Sequence, residues 1–113
     1  MIAAKAVLDA EGRLVRFEAE GHSGRGPKGR DIVCAAFSVL ARSAYEALAA
    51  LPGAELEGSA REPGSLSFRV RSLGAGAEGK AAGIADFLLA GISGLEREFP
   101  GEVGLTIERY WRE

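Results

Sequence analysis

Two long segments of the chain repeat apolar residues at the three- and four-residue steps of an α-helix, and each ends at a Pro-Gly pair. The first covers residues 31–50, with apolar side chains at positions 33, 37, 40, 44 and 48, and stops at Pro52-Gly53. The second opens with glycines at 74, 76 and 79 and stops at Pro100-Gly101. Its apolar residues are Ile84, Phe87, Leu88, Ile92, Leu95 and Phe99. This spacing predicts two helices, each with one stripe facing a core.

Shorter segments beside these helices are typical of strands, since alternating apolar and polar residues indicate one wet face. Residues 2–9 and 13–20 flank a turn at 10–12, and residues 54–60 and 65–72 flank a turn at 61–64. Residues 103–110 form a last strand. The predicted order is ββαββαβ. We therefore expect an α+β two-layer sandwich, with a mainly antiparallel or mixed sheet and both helices on one face.

Size and composition limit the classes of protein that the chain can represent. With 113 residues, 47% of them hydrophobic and 27% charged, we expect a single domain over residues 1–113. No apolar run approaches the roughly 18 residues of a membrane span, and the first residues lack a secretory segment, which favours the cytoplasm. One cysteine excludes an internal disulfide. A net charge of −2 argues against a nucleic-acid surface built on bulk positive charge.

A glycine-rich loop between the second strand and the first helix matches the pattern GxGxxG at Gly24 to Gly29. A dinucleotide site needs a βαβ unit and a continuous apolar parallel strand before the loop, whereas here a hairpin with charged residues leads into it. We therefore interpret the match as fortuitous. The glycines instead give residues 23–30 conformational freedom, either as a flap or as a loose surface loop. The loop also holds a basic cluster, Arg25, Lys28 and Arg30, which a solvated turn explains.

The only histidine and the only cysteine of the chain lie on either side of this loop. Asp31 is a suitable N-cap residue, which places Cys34 at the third helical position. There the helix dipole favours a thiolate, and backbone amides without an intrahelical acceptor face a developing oxyanion. His22 follows the second strand directly, so that a chain reversal brings its imidazole to the sulfur. The pattern is compatible with a nucleophile and its base.

Two other interpretations of Cys34 remain open from the residues alone. A lone cysteine in an alanine-rich helix is often an inert packed thiol. A structural zinc site needs four ligands, and the chain offers only two nitrogen or sulfur candidates, so we expect neither metal nor cofactor. Ser38 shares a helix face with Cys34 and either hydrogen-bonds near the sulfur or bonds a carbonyl of the preceding turn. Tyr45, further along, is expected to pack.

The run Gly21-His22, a short glycine loop, then Gly29-x-Asp31-Ile-Val-Cys34-Ala-Ala-x-Ser38 resembles the signature of the bacterial ribosomal-processing cysteine proteases, the Prp family. The resemblance implies a cytoplasmic homodimeric endopeptidase without cofactor. Its substrate would be the N-terminal extension of a large-subunit ribosomal protein (L-twenty-seven), removed during ribosome assembly. Cys34 and His22 would form the dyad, with Asp31 and Ser38 in support. Residues 23–30 would cover the substrate, with Gly21 and Gly29 as hinges.

A non-catalytic ribosome-assembly module, binding protein or RNA, is the alternative to a protease. A small α+β sheet suits such a role, and the basic cluster in the loop offers contacts to phosphate. Against direct RNA binding stand the acidic overall balance and the lack of aromatic residues spaced for base stacking. We therefore favour the protease and expect a peptide as substrate, with no membrane and no direct nucleic-acid partner.

Overall fold

Five strands and two helices follow one another in the predicted order ββαββαβ in the computed structural model, which describes residues 1–21, 31–59 and 65–110. Their bounds are β1 Ile2–Leu8, β2 Leu14–Glu20, α1 Ile32–Ala49, β3 Glu55–Ser59, β4 Ser65–Ser72, α2 Glu78–Glu98 and β5 Val103–Arg109. The second helix starts later than its glycines suggest, because Gly74 and Gly76 belong to the approach and only Gly79 is helical. The turn predicted at residues 61–64 lies outside the described residues.

The strands form one mixed sheet in the order β3-β4-β2-β1-β5. All neighbouring pairs are antiparallel except β1 and β5, which run parallel with Ile2 opposite Val103. The β1–β2 hairpin closes on Asp9, whose carboxylate accepts the backbone N–H groups of Glu11 and Arg13. Each helix is a crossover between two strands that run in the same direction but are not neighbours. Helices covering one face of a mixed sheet confirm the predicted α+β class.

The core lies between the sheet and the inner faces of the two helices. Strand β1 contributes every second residue, from Ile2 to Leu8, as the pleat requires. Phe17 of β2 is fully buried, with its ring centroid 6.4 Å from Phe37 of α1 and 5.8 Å from Phe68 of β4. The buried helix residues are Val33, Phe37, Ala41, Ala44 and Leu48 in α1, and Ala81, Ala85, Leu88, Ile92 and Leu95 in α2.

The inner stripes differ from the predicted ones at four large side chains, one of which is Phe99, half-buried at the end of α2. Leu40 and Ile84 are only half-buried, and Phe87 is 74% exposed, so its predicted core position is wrong. The stripe of α2 follows smaller residues at 81 and 85 before Leu88, and Phe87 is turned about 100° away from Leu88 on the helix. Ala81 and Ala85 therefore lie on the sheet side together with Leu88, whereas Phe87 lies on the outside.

The first helix is long and apolar enough to cross a membrane, with a mean hydropathy of 1.4 over its 18 residues. The expectation that no segment approaches this length is therefore wrong for α1. Its five buried residues nevertheless belong to the same core as the sheet. We therefore describe α1 as a core helix of this fold.

Candidate active site

The residue that follows β2 is Gly21, and its position accepts only glycine. Gly21 has φ of +103°, a region that L-residues with a side chain rarely adopt. A Cβ atom at this position would also clash with the backbone oxygen of Met1, beside the start of β1. Gly21 therefore has a structural reason to be glycine. This structural reason does not bear on the proposed role of Gly21 as a hinge of the loop, which stays a prediction.

Asp31 begins α1 as the sequence predicts. Its backbone is extended, with φ of −77° and ψ of 100°, and its carboxylate Oδ1 accepts the Cys34 N–H at 2.9 Å. Its carbonyl oxygen accepts the Ala35 N–H at 3.0 Å, which is the first hydrogen bond of the helix. Only 9% of Asp31 is exposed, so the cap is largely shielded from water. The Asp31 side chain therefore sets both the start of the helix and the position of the cysteine.

Cys34 lies in the first turn of α1, half-buried and packed against the edge of the core cluster. Its own backbone N–H already donates to Asp31, so it is not among the amides that face an oxyanion. The amides of Ile32 and Val33, at the first two helical positions, have no intrahelical acceptor. The structure thus removes the Cys34 amide from the predicted set of oxyanion donors in this turn and leaves these two groups in it.

Ser38 lies one turn beyond Cys34 and is also half-buried, on the same side of the helix. Tyr45 is half-buried as well, and its ring meets Phe68 edge-on with centroids 5.2 Å apart. Tyr45 therefore has the packing role that we expected. The face of α1 that carries Cys34 and Ser38 continues to Tyr45, which packs against the core.

His22, the predicted partner of the Cys34 thiol, lies outside the described residues. The same holds for Gly29 and for the loop 23–30 with its GxGxxG match and the basic residues Arg25, Lys28 and Arg30. The pairing of Cys34 with His22 accordingly stays a prediction. Within the ranges that the structure describes, no three His, Cys, Asp or Glu side chains are grouped closely enough to hold a metal ion.

Comparison with solved structures gives strong likenesses over nearly the whole chain. The ribosomal processing protease Prp from S. aureus, in complex with a covalently linked product peptide, superposes with a TM-score of 0.81 at 22% identity, covering 96% of this chain and 100% of that one. The same protease with a substrate peptide gives 0.74 at 21% identity, with the same coverage. The protein SMU.848 from Streptococcus mutans gives 0.74 at 28% identity, covering 97% of this chain and 96% of that one.

A comparison with curated protein sequences gave no match. The family model of the cysteine protease Prp, by contrast, matches residues 1–104, which is nearly the full length. The match includes the capped helix start with Cys34, and the solved structures share the fold that presents it. The chain therefore belongs to the Prp family of cysteine proteases.

Proposed function

We propose that this protein removes the N-terminal extension of the large-subunit ribosomal protein L-twenty-seven, with Cys34 as nucleophile and His22 as general acid and base. The observation that carries the proposal is the first turn of α1, where the Asp31 cap fixes a half-buried cysteine beside two helix amides that have no intrahelical acceptor. A thiol at a helix start is favoured as a thiolate, which is the nucleophilic form. The family match supports the use of this sulfur as a protease nucleophile.

The proposed reaction has two halves. In the first, the Cys34 thiolate attacks the scissile carbonyl carbon, and the Ile32 and Val33 amides face the oxyanion. The C–N bond then breaks, and His22 donates a proton to the leaving amine. In the second half, His22 takes a proton from water, the hydroxide attacks the thioester, and the C–S bond breaks. The carboxylic acid product leaves and the thiolate is restored.

The solved relatives support a peptide from a ribosomal protein as the class of substrate. The S. aureus protease is described as essential and ribosomal-processing, and it has been solved with a substrate peptide and with a covalently linked product peptide. An extended peptide beside a sheet or beneath a loop is a common mode of recognition. We propose that the loop 23–30 covers the peptide by bending at Gly21 and Gly29. We also propose a single domain over residues 1–113 that works as a cytoplasmic homodimer.

A cleavage assay tests the proposal directly. The substrate is a synthetic peptide that spans the extension junction of the host's own ribosomal protein L-twenty-seven, and the products are identified by mass spectrometry. We expect the wild-type protein to cut at one bond, and both Cys34→Ala and His22→Ala to reduce kcat/KM at least about 1,000-fold, since each removes one member of a cooperating pair.

Ala36→Ser is the matched control, because Ala36 is exposed two residues beyond Cys34 on the same helix. It should cleave like the wild type. If Cys34→Ala keeps the melting temperature of the wild type, its loss of cleavage activity is due to the missing thiol and not to unfolding. Equal turnover by Cys34→Ala would disprove the mechanism, and cleavage of unrelated peptides but not of this one would disprove the substrate.

A further inference from the structure

Three arginine side chains lie next to one another on the face of the sheet that points away from the helices. Arg16 of β2 is directly opposite Arg69 of β4, and Arg71 follows two residues further along β4. Because both strands point their phenylalanines into the core, the strand alternation places these arginines on the outer face. We give the name arginine patch to Arg16, Arg69, Arg71 and Glu57 of β3, whose carboxylate contacts two of them.

The arginine patch has N–H donors beyond those that bond within the chain. Glu57 accepts from Arg71 Nη1 at 2.6 Å and from Arg69 Nη2 at 3.4 Å. An arginine side chain carries five N–H donors in a planar fork, and each of these contacts uses one nitrogen of its fork. Arg16 is exposed and forms no ion pair with any residue that the structure describes. Planar forks of this kind match the oxygens of a phosphate group.

The arginine patch is positive although the chain as a whole is acidic. It joins three arginines to one glutamate, whereas the chain has 14 Lys and Arg against 16 Asp and Glu. Arg16 and Arg69 are also a like-charged pair with Cβ atoms about 4.5–5.5 Å apart, which is destabilising in a sheet. On its other side Arg16 faces the apolar Val7, so neither cross-strand neighbour is an acid. A bound anion would offset this repulsion.

The exposure of the arginine patch favours a polyanion over a small anion. The Arg69 and Arg71 side chains are 58% and 56% exposed, and a single ion contact at an exposed site contributes little in water. Several phosphates along one strand add such contacts together, and each contact releases counterions. The Cβ atoms of neighbouring arginines are about 5–7 Å apart along and across the strands, which is close enough for one flexible strand to contact all three.

The arginine patch lies at the end of the sheet away from Cys34. Strand β2 runs towards the start of α1, and Arg16 is near the beginning of this strand. Four residues of extended chain, about 13 Å, separate Arg16 from Glu20. Glu18 and Glu20 are exposed on the same face between the patch and the active-site end, and their charges repel phosphate. A polyanion on the patch therefore leaves the active site open.

We propose that the arginine patch binds the phosphate backbone of RNA, through contacts that carry no sequence information. RNA is the polyanion that surrounds a ribosomal protein during assembly, so the choice of occupant rests on the proposed function, although the patch does not depend on the protease chemistry. The sequence argued against a nucleic-acid surface built on bulk positive charge. The structure instead concentrates positive charge at one end of one face, where bound RNA holds the chain near its substrate.

Fluorescence anisotropy of the full chain with a fluorescein-labelled oligouridylate tests the arginine patch. Each phosphate contact adds about 0.7 to the slope of log Kd against log salt, so three contacts predict a slope of about 2 between roughly 50 and 200 mM salt. Arg16→Gln should lower this slope by about 0.7, and the triple variant Arg16→Gln, Arg69→Gln, Arg71→Gln should weaken binding at least about 30-fold. Glu57→Gln keeps an acceptor for Arg71 but removes the negative charge of the patch, so it should tighten binding about 3-fold.

The triple variant Arg42→Gln, Lys80→Gln, Arg97→Gln is the matched control, because it removes the same charge from exposed positions on the two helices. It should keep most of the wild-type affinity. Circular dichroism checks folding, and Arg16→Gln decides if the triple variant of the patch does not fold. An equal loss in the control, a wild-type slope near zero, or a polyglutamate peptide that competes as well as RNA would overturn the proposal. A wild type that cuts the peptide without binding RNA overturns the patch and leaves the protease intact, and one that binds RNA but cuts no peptide overturns the protease alone.

Discussion

At the scale of single residues, Asp31 has more influence on the site than any other residue that the structure describes. Its carboxylate caps α1 and takes the Cys34 N–H, so one side chain both starts the helix and removes one candidate oxyanion donor. The cap was predictable because Asp before an apolar helical stripe is a common N-terminal signal. The amide that donates to the Asp31 carboxylate was not predictable, because a cap can bond either of two neighbouring N–H groups.

Replacing Asp31 separates capping from catalysis. Asp31→Ala should lower the free energy of unfolding by about 1 kcal/mol, within the usual range for a lost cap, while Asp31→Asn should change it by a few tenths at most because the amide oxygen still accepts. Urea denaturation measures both. Since we assign Asp31 to the helix start, Asp31→Asn should also keep most of the cleavage activity. A stable Asp31→Asn variant without activity would show instead that the carboxylate orients His22.

At the scale of elements, the edge strand β3 is tied to β4 by side chains as well as by the backbone. Glu57 accepts hydrogen bonds from Arg71 at 2.6 Å and from Arg69 at 3.4 Å. Partial desolvation alone would raise the pKa of Glu57, but the hydrogen bonds and charges of Arg69 and Arg71 outweigh it and hold the pKa below its ordinary value of 4.5. All three side chains are exposed, so the stabilisation is modest and sensitive to salt.

The direction of this pKa shift gives a pH dependence. A carboxyl group with a lowered pKa in the folded state adds stability above its ordinary pKa, and this is lost as the pH falls through the folded-state pKa. We expect the double variant Arg69→Gln, Arg71→Gln to return the Glu57 pKa towards 4.5, as followed by NMR titration of its side-chain carboxyl. Lys5→Gln, whose ion pair is with Glu108, should leave the Glu57 pKa unchanged. An unchanged pKa in the double variant would refute the assignment.

At the scale of the whole molecule, stability depends on the layer between the sheet and the inner helix stripes. Leu88 is 1% exposed in this layer, whereas Ile32 is 61% exposed at the start of α1. Leu88→Ala should therefore cost about 2–5 kcal/mol of unfolding free energy, from lost burial and the cavity that remains. Ile32→Ala should change it by about 0.5 kcal/mol or less. Urea denaturation of both variants at one protein concentration measures these losses. Similar losses of unfolding free energy in the two variants would contradict the placement of the core between sheet and helices.

The family assignment also belongs to this scale, because it rests on nearly the full chain. The Gly21-His22 and Asp31-to-Ser38 runs indicate the Prp family from the sequence, and the family model over residues 1–104 confirms it. The strand order could not be read in the same way. The crossover from β2 to β3 passes one strand and the crossover from β4 to β5 passes two, and local residue patterns carry no information about which strands become neighbours.

The sequence by itself determined the number, type and order of the elements, the cap at Asp31 and the position of Cys34 in the first turn, because these depend on local periodicity and on residues a few positions apart. The tertiary structure decided that Phe87 lies outside while Ala81 and Ala85 lie inside, and that β5 pairs in parallel with β1. Periodicity shows that a helix has an apolar side but not its exact rotation. That rotation is set by how closely the helix can approach the sheet, which is a property of both surfaces together.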